Sequence, residues 1–212
     1  MRARTVPAMR NFLQSRGFTI IELMTTVAIV GMIAAFAIPN MRVFIQNNRL
    51  ATSGNDLLHA IQIARTEAIK RQTGSVTVCA TANSSLGDNA LTCNYGTFSQ
   101  WFVFYDLNND GQHAIDGTEP VLARGAVNSS DTIRNDANSG IVCYGPTGFL
   151  NVACGAKTPT RTVVMCDARG NQPIGANSTA RTLLVSQTGR ARISQLVADV
   201  SSSLTTLGGT CP

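Results

Sequence analysis

Residues 17–38 read Gly17-Phe18-Thr19-Ile20-Ile21-Glu22-Leu23-Met24-Thr25-Thr26-Val27-Ala28-Ile29-Val30-Gly31-Met32-Ile33-Ala34-Ala35-Phe36-Ala37-Ile38, an apolar run long enough to cross a bilayer. It carries one carboxylate, Glu22, near its start. A charge in the hydrocarbon core costs about 2.5 to 3.5 kcal/mol on insertion scales, so an ionisable group there normally has a partner and a function. A plain anchor has no use for it.

The flanks set orientation and processing. Residues 1–17 hold Arg2, Arg4, Arg10 and Arg16 and no acid, so this stretch is expected to stay in the cytoplasm while the remainder is exported. An ordinary secretory signal is cut after its apolar core, beside small residues. Here the expected cut lies before the core, where Gly17 presents an unhindered carbonyl. Cutting there frees an ammonium on Phe18. In a helical stack of such segments, Glu22 of one subunit neutralises the amino terminus of its neighbour, which removes two unpaired charges from an apolar environment and sets the axial register.

The string Arg16-Gly17-Phe18-Thr19-Ile20-Ile21-Glu22 resembles the prepilin peptidase site of type IV pilins and type II secretion pseudopilins. The resemblance implies removal of the leader after Gly17, N-methylation of Phe18 and an assembly role for Glu22, the fifth mature residue. Pro39 falls where many pilins carry a helix-bending proline. The implied divisions are a leader over 1–17, a membrane and assembly helix over 18–38, its amphipathic continuation over 39–73 and a β-rich domain over 74–212. The implied partners are other major and minor pilins, the prepilin peptidase and the inner membrane, with the domain periplasmic before assembly and extracellular in the pilus.

Charge is less informative in total than in distribution. The chain has 17 Lys and Arg against 12 Asp and Glu, but the leader supplies four arginines, leaving 17 − 4 = 13 basic residues and a mature balance near 13 − 12 = +1. Residues 81–150 hold seven acids and two arginines, whereas residues 151–212 hold six basic residues and two acids. The carboxy-terminal part is the electropositive one.

After Pro39 the chain reads helically to about Arg71, with Phe44, Leu57, Leu58, Ile61, Ala64, Ala68 and Ile69 giving an apolar stripe and Gly74 a stop. Beyond it, residues 75–80, 101–106, 120–126, 132–135, 141–144, 162–166, 181–186 and 190–196 are short β-branched or aromatic runs divided by Gly, Asn, Asp and Ser clusters. Such spacing leaves no room for crossover helices. The expected class is α+β, a type IV pilin fold with a long N-terminal helix packed on antiparallel sheet. Residues 82–90 and 171–180 read as loops, and the Ser, Thr and Gly-rich tail after Val200 reads as held only by Cys211.

Six cysteines, Cys79, Cys93, Cys143, Cys154, Cys166 and Cys211, all follow the apolar run, where an exported domain meets oxidising conditions. Many pairings are open to six cysteines, and closeness along the chain favours 79 with 93, 143 with 154, and 166 with 211. No Cys-x-x-Cys spacing appears, and neither His59 nor His113 is near a cysteine, so a zinc site is not expected and no cofactor is implied. His59 reads as a solvated helix residue and His113 as a loop residue. No Gly-x-Ser-x-Gly, phosphate loop or zinc-binding helix motif points to an enzyme.

Two further stretches carry chemistry. Asp106-Leu107-Asn108-Asn109-Asp110-Gly111 has the opening of a calcium loop, with oxygen side chains at alternate positions and a glycine for the turn. The twelfth position is Gly117 instead of a bidentate Glu, with Asp116 and Glu119 nearby, and the same residues suit a turn between strands, which is the expectation. Residues 101–122 resemble a stretch common in GspH/FimT-type minor pilins. The end Gly189-Arg190-Ala191-Arg192 is similar to the Gly-Arg-x-Arg motif of the FimT-like members, and that similarity implies DNA contact through Arg190 and Arg192; by charge alone, Arg181, Arg169, Arg161 and Lys157 are candidates to extend the positive surface. Arginines two apart on an extended strand point to one face, about 7 Å apart, and guanidinium forks suit phosphate oxygens. The alternatives are solvated arginines, or pairing with Asp167 or Asp199, in a purely structural pilus subunit or a minor pseudopilin of a type II secretion system.

Overall fold

The computed structural model describes residues 17–136, 139–151, 155 and 157–211. It falls into two compact units, residues 1–43 and 44–212, with helix α1 (Ile20–Arg71) contributing to both.

In the first unit the helix begins where Thr19 caps it, its Oγ1 accepting the Glu22 N–H at 3.2 Å. From Ile20 onward its apolar side chains face outward; Ile20 is 81% and Phe36 77% exposed. The helix is long and apolar enough to cross a membrane, and the apolar window itself is unburied. Its polar side chains bond back to its own carbonyls, Thr25 to Glu22, Thr26 to Leu23 and Asn40 to Phe36, as a segment in apolar surroundings requires. Proline removes one ladder bond, yet α1 runs on through Pro39.

In the second unit the helix buries Leu50, Ser53, Gly54, Leu57, Ala60, Ile61, Ala64 and Ala68. The stripe differs from expectation at its ends. Phe44 and Ile69 are exposed, while Leu50, Ser53, Gly54 and Ala60 extend the buried face, because small residues let the helix approach the sheets.

Two antiparallel sheets follow. The first has the order β3-β2-β1-β5, from β1 (Ser75–Ala80), β2 (Gln100–Asp106), β3 (Val121–Ala126) and β5 (Ile141–Tyr144). The second has β4 (Thr132–Asn135), β6 (Thr162–Cys166), β8 (Asn177–Val185) and β7 (Pro173–Ile174) in that order, with β9 (Ala191–Leu196) also paired to β8. Strand alternation sorts the side chains. Val76, Val78, Trp101, Val103, Val163, Met165, Leu183 and Val185 join the helix in one core. The opposite faces are covered separately: Cys79, Phe102 and Phe104 by Leu91 and Cys93, and Val164, Cys166 and Ala180 by Val200 and Leu204.

Each covering segment is tied to the strand beneath it by a disulfide. Cys79 is bonded to Cys93 and Cys166 to Cys211, with Cα separations of 5.6 and 5.7 Å. Cys143 is also disulfide-bonded; Cys154 lies outside the described residues, as do residues 1–16 of the leader.

Two loop readings are corrected. Residues 171–180 hold β7 and the start of β8, because Gly175 and Ala176 form the turn of a hairpin that pairs Ile174 with Asn177. The tail carries a second helix, α2 (Val197–Thr206), which buries Val200, Ser203 and Leu204. Its serines obscured an apolar face at helical spacing, and Ser203 shares a buried hydrogen bond with Thr182 at 2.9 Å.

Candidate functional site

The Gly-Arg-Ala-Arg segment forms the turn and first residues of the β8–β9 hairpin. Ser186 N–H donates to Arg190 O at 2.8 Å, and Arg190 N–H donates to Ser186 Oγ at 3.1 Å. Arg190 therefore closes the turn and β9 starts at Ala191, one residue later than expected. Gly189 explains the motif's first position: its φ is +79°, and a Cβ there would lie 2.0 Å from Gly148 O. Only glycine fits.

Around this hairpin is an open cleft of about 720 Å³ with an apolar floor that includes Ile61 and Leu184. Four arginines line it: Arg65 from α1, Arg161 ahead of β6, Arg190 and Arg192. No carboxylate does so among the described residues. Arg65, absent from the sequence reading, arrives from the other end of the chain. Its Nε donates to Gly148 O at 3.1 Å and its Nη2 to Thr188 O at 3.2 Å, which ties the helix to two turns. Tyr144 O–H donates to Gly189 O at 3.2 Å from beneath, and burial raises its phenol above the ordinary range.

The arginines differ in freedom. Arg192 is exposed but paired with Asp199 of α2 at 3.0 Å. A hydrogen bond from Ser194, and after it one from Arg192, holds the Asp199 carboxyl below the usual carboxylate range. Arg161 Nη2 donates to Gln187 Oε1 at 3.3 Å. Arg190 is exposed and forms no ion pair among the described residues.

The other expected extensions lie apart. Arg181 is half-buried on β8 and does not line the cleft; burial, then the nearby Arg169 charge, disfavours its cationic form. Arg169 is committed to Asp167, its Nε 3.0 Å from both carboxylate oxygens. Lys157 sits over the Tyr95 ring at 5.0 Å.

The acidic turn between β2 and β3 is more buried than its composition suggested. Asp106 is fully buried; its Oδ2 accepts from Gly111 N–H at 2.9 Å, while its Oδ1 has no hydrogen-bond partner. Burial raises its carboxyl to about 6, with Glu119 and Asp110 adding to the rise against the Gly111 hydrogen bond. Glu119, also buried, accepts from Leu107 N–H at 2.9 Å and Ala114 N–H at 2.8 Å and so clamps the two sides of the loop. His113 lies in the loop, as expected, but is buried there. It is buried edge-on against Phe102 and Phe104, with ring nitrogens 3.0 Å from Leu91 O and 2.8 Å from Glu119 O. His59 is exposed on α1. Among the described residues no three His, Cys, Asp or Glu side chains converge as a metal site.

At the amino-terminal site, Gly17 lies in open space and Phe18 is 83% exposed, just ahead of the helix. Glu22 is in its first turn, where a carboxylate complements the helix dipole.

Residues 53–189 match the family described as type II transport protein GspH, and residues 13–38 match the prokaryotic N-terminal methylation motif. No curated protein matches. Two crystal structures of the type IV minor pilin FimU from Pseudomonas aeruginosa PAO1 are similar. One, in space group P21, shows 19% identity over 71% of this chain and 92% of that one with a TM-score of 0.47. The other, in P65, shows 18% identity over 68% and 92%, with a TM-score of 0.45. With the GspH match spanning more than half its length behind an N-terminal methylation motif, the chain belongs to the family of the type II transport protein GspH.

Proposed function

We propose that this is a minor pilin, cut by prepilin peptidase after Gly17, N-methylated at Phe18, anchored in the inner membrane with its domain periplasmic, and assembled into a pilus through α1. Glu22 serves as partner for a neighbouring subunit's amino terminus. The exposed cleft at the β8–β9 turn binds the phosphate backbone of extracellular DNA. The observation that carries this reading is the set of four arginines with no lining carboxylate, on a floor built from α1 and the hairpin.

A duplex backbone is the ligand that suits such a surface, since guanidinium forks match phosphate oxygens and released counterions drive binding. Arg190 has no ion-pair partner to surrender. Full-length protein in detergent micelles should bind duplex DNA of unrelated sequence, with affinity falling as salt rises. Replacing Arg190 and Arg192 together by Gln should reduce the salt slope by about two units at most, one per lost contact. No binding at low salt, or an unchanged slope in the double variant, would rule out DNA contact here. The second reading, a structural subunit or pseudopilin without DNA, is favoured by the Arg192–Asp199 pair and by Arg65's engagement with two carbonyls.

A further inference from the structure

We propose that the turn at residues 106–112 binds a calcium ion through the side chains of Asp106, Asn108 and Asp110 and the main-chain carbonyl of Gln112. These are the first, third, fifth and seventh positions of an oxygen-ligand loop, with Gly111 at the sixth. Residue types alone favour a hairpin turn. The buried Asp106 carboxylate is the further observation that shifts the balance.

Asp106 has no exposed surface, and its Oδ1 has no hydrogen-bond partner among the described residues. Oδ2 accepts from the Gly111 amide at 2.9 Å and from Thr77 Oγ1 at 3.3 Å, which sets the carboxyl group between β1 and the loop. The charged groups that act on it most strongly are Glu119 and Asp110, both carboxylates. A buried carboxylate oxygen without hydrogen bond or counter-charge is costly. A divalent cation seated between Asp106 and Asp110 removes that cost and the repulsion together. The frame for it is held by groups outside the ligand set: Glu119 clamps the loop through two amides, and Tyr95 O–H donates to Gly111 O at 3.1 Å.

The absence of a third convergent carboxylate does not count against this ligand set, which has two carboxylates, one amide and one peptide carbonyl. It does set the affinity. Gly117 supplies no bidentate closing ligand, so water completes the shell and binding belongs at the weak end, about 0.1 to 1 mM, suited to an exported protein. Magnesium is disfavoured, because it demands near-ideal octahedral geometry and dehydrates reluctantly.

The experiment is thermal melting of the full-length, chelator-treated protein in detergent micelles, titrated with calcium chloride to about 10 mM and in parallel with magnesium chloride. Calcium should raise the melting temperature saturably, with magnesium at least about tenfold less potent. Asp110→Asn, on the exposed side of the loop, and Asp106→Asn should each weaken the calcium response about tenfold or more. Asp116→Asn, an exposed acid outside the ligand set, should leave it unchanged. Should Asp106→Asn fail to fold, Asp110→Asn decides alone. No calcium response, an equal magnesium response, or a response retained in Asp110→Asn overturns the proposal. The DNA reading stands or falls separately, since Arg190 and Arg192 play no part in this site.

Discussion

Arg192 on β9 and Asp199 on α2 form an ion pair of 3.0 Å, so one of the two motif arginines is tethered by the helix that caps the second sheet. The pair sits at the rim of the cleft, and any phosphate reaching Arg192 must compete with Asp199. Asp199→Asn should therefore strengthen DNA binding and steepen its salt dependence by up to about one unit, with little change in melting temperature because the pair is exposed. Affinity measured across a salt series checks this; equal slopes for parent and variant would show that Arg192 contacts no phosphate.

Gly189→Ala should destabilise the fold without touching a charge. The position combines φ +79° with a contact in which a Cβ would meet the Gly148 carbonyl. Strain of this kind costs about 1 to 3 kcal/mol, before the displacement of Gly148 is counted. Denaturant unfolding in micelles reads the loss, and a variant as stable as the parent would contradict the turn geometry.

Arg65→Met should have a different signature. It keeps much of the side-chain volume but leaves Gly148 O and Thr188 O without their donor, at a cost of about 1 to 3 kcal/mol for buried acceptors, less where water reaches them. Hydrogen exchange should rise in the 145–150 and 186–190 turns together. Exchange confined to one turn would mean that Arg65 does not join them.

The Cys166–Cys211 bridge closes a far longer loop than Cys79–Cys93, with separations of 45 and 14 residues. On the loop-entropy argument its loss should cost about 4 kcal/mol against about 3 kcal/mol for the shorter one. Paired serine substitutions and chemical denaturation test the order. Residues 197–211 should become sensitive to protease in the Cys166 and Cys211 double variant before the rest of the domain does.

Processing is tested by mass. Protein recovered from sheared fibres should begin at an N-methylated Phe18, and an intact leader there would falsify the assignment. Glu22→Ala should preserve insertion and folding while lowering the fibre-bound to membrane-bound ratio, because it removes a charge partner and no packing contact.

The long helix, the positions of the main strands and the Gly17-Phe18-Glu22 constellation were legible in the chain because each is written in local residues: apolar periodicity, β-branched runs, and charges placed at fixed distances. Sequence alone also marked Arg190 and Arg192. Tertiary structure decided what these residues meet. Arg65, more than a hundred positions away, enters the cleft because α1 packs under the hairpin; Asp199 reaches Arg192 because a serine-rich tail folds into α2; His113 is buried because Leu91 lies over its sheet, and Asp106 because its own loop folds back on it through Gly111. Apart from the Gly111 turn, none of these contacts has a local signature. Each depends on which surfaces remain uncovered after the strands pair, and a covering segment needs only a few apolar side chains and one disulfide to find its place.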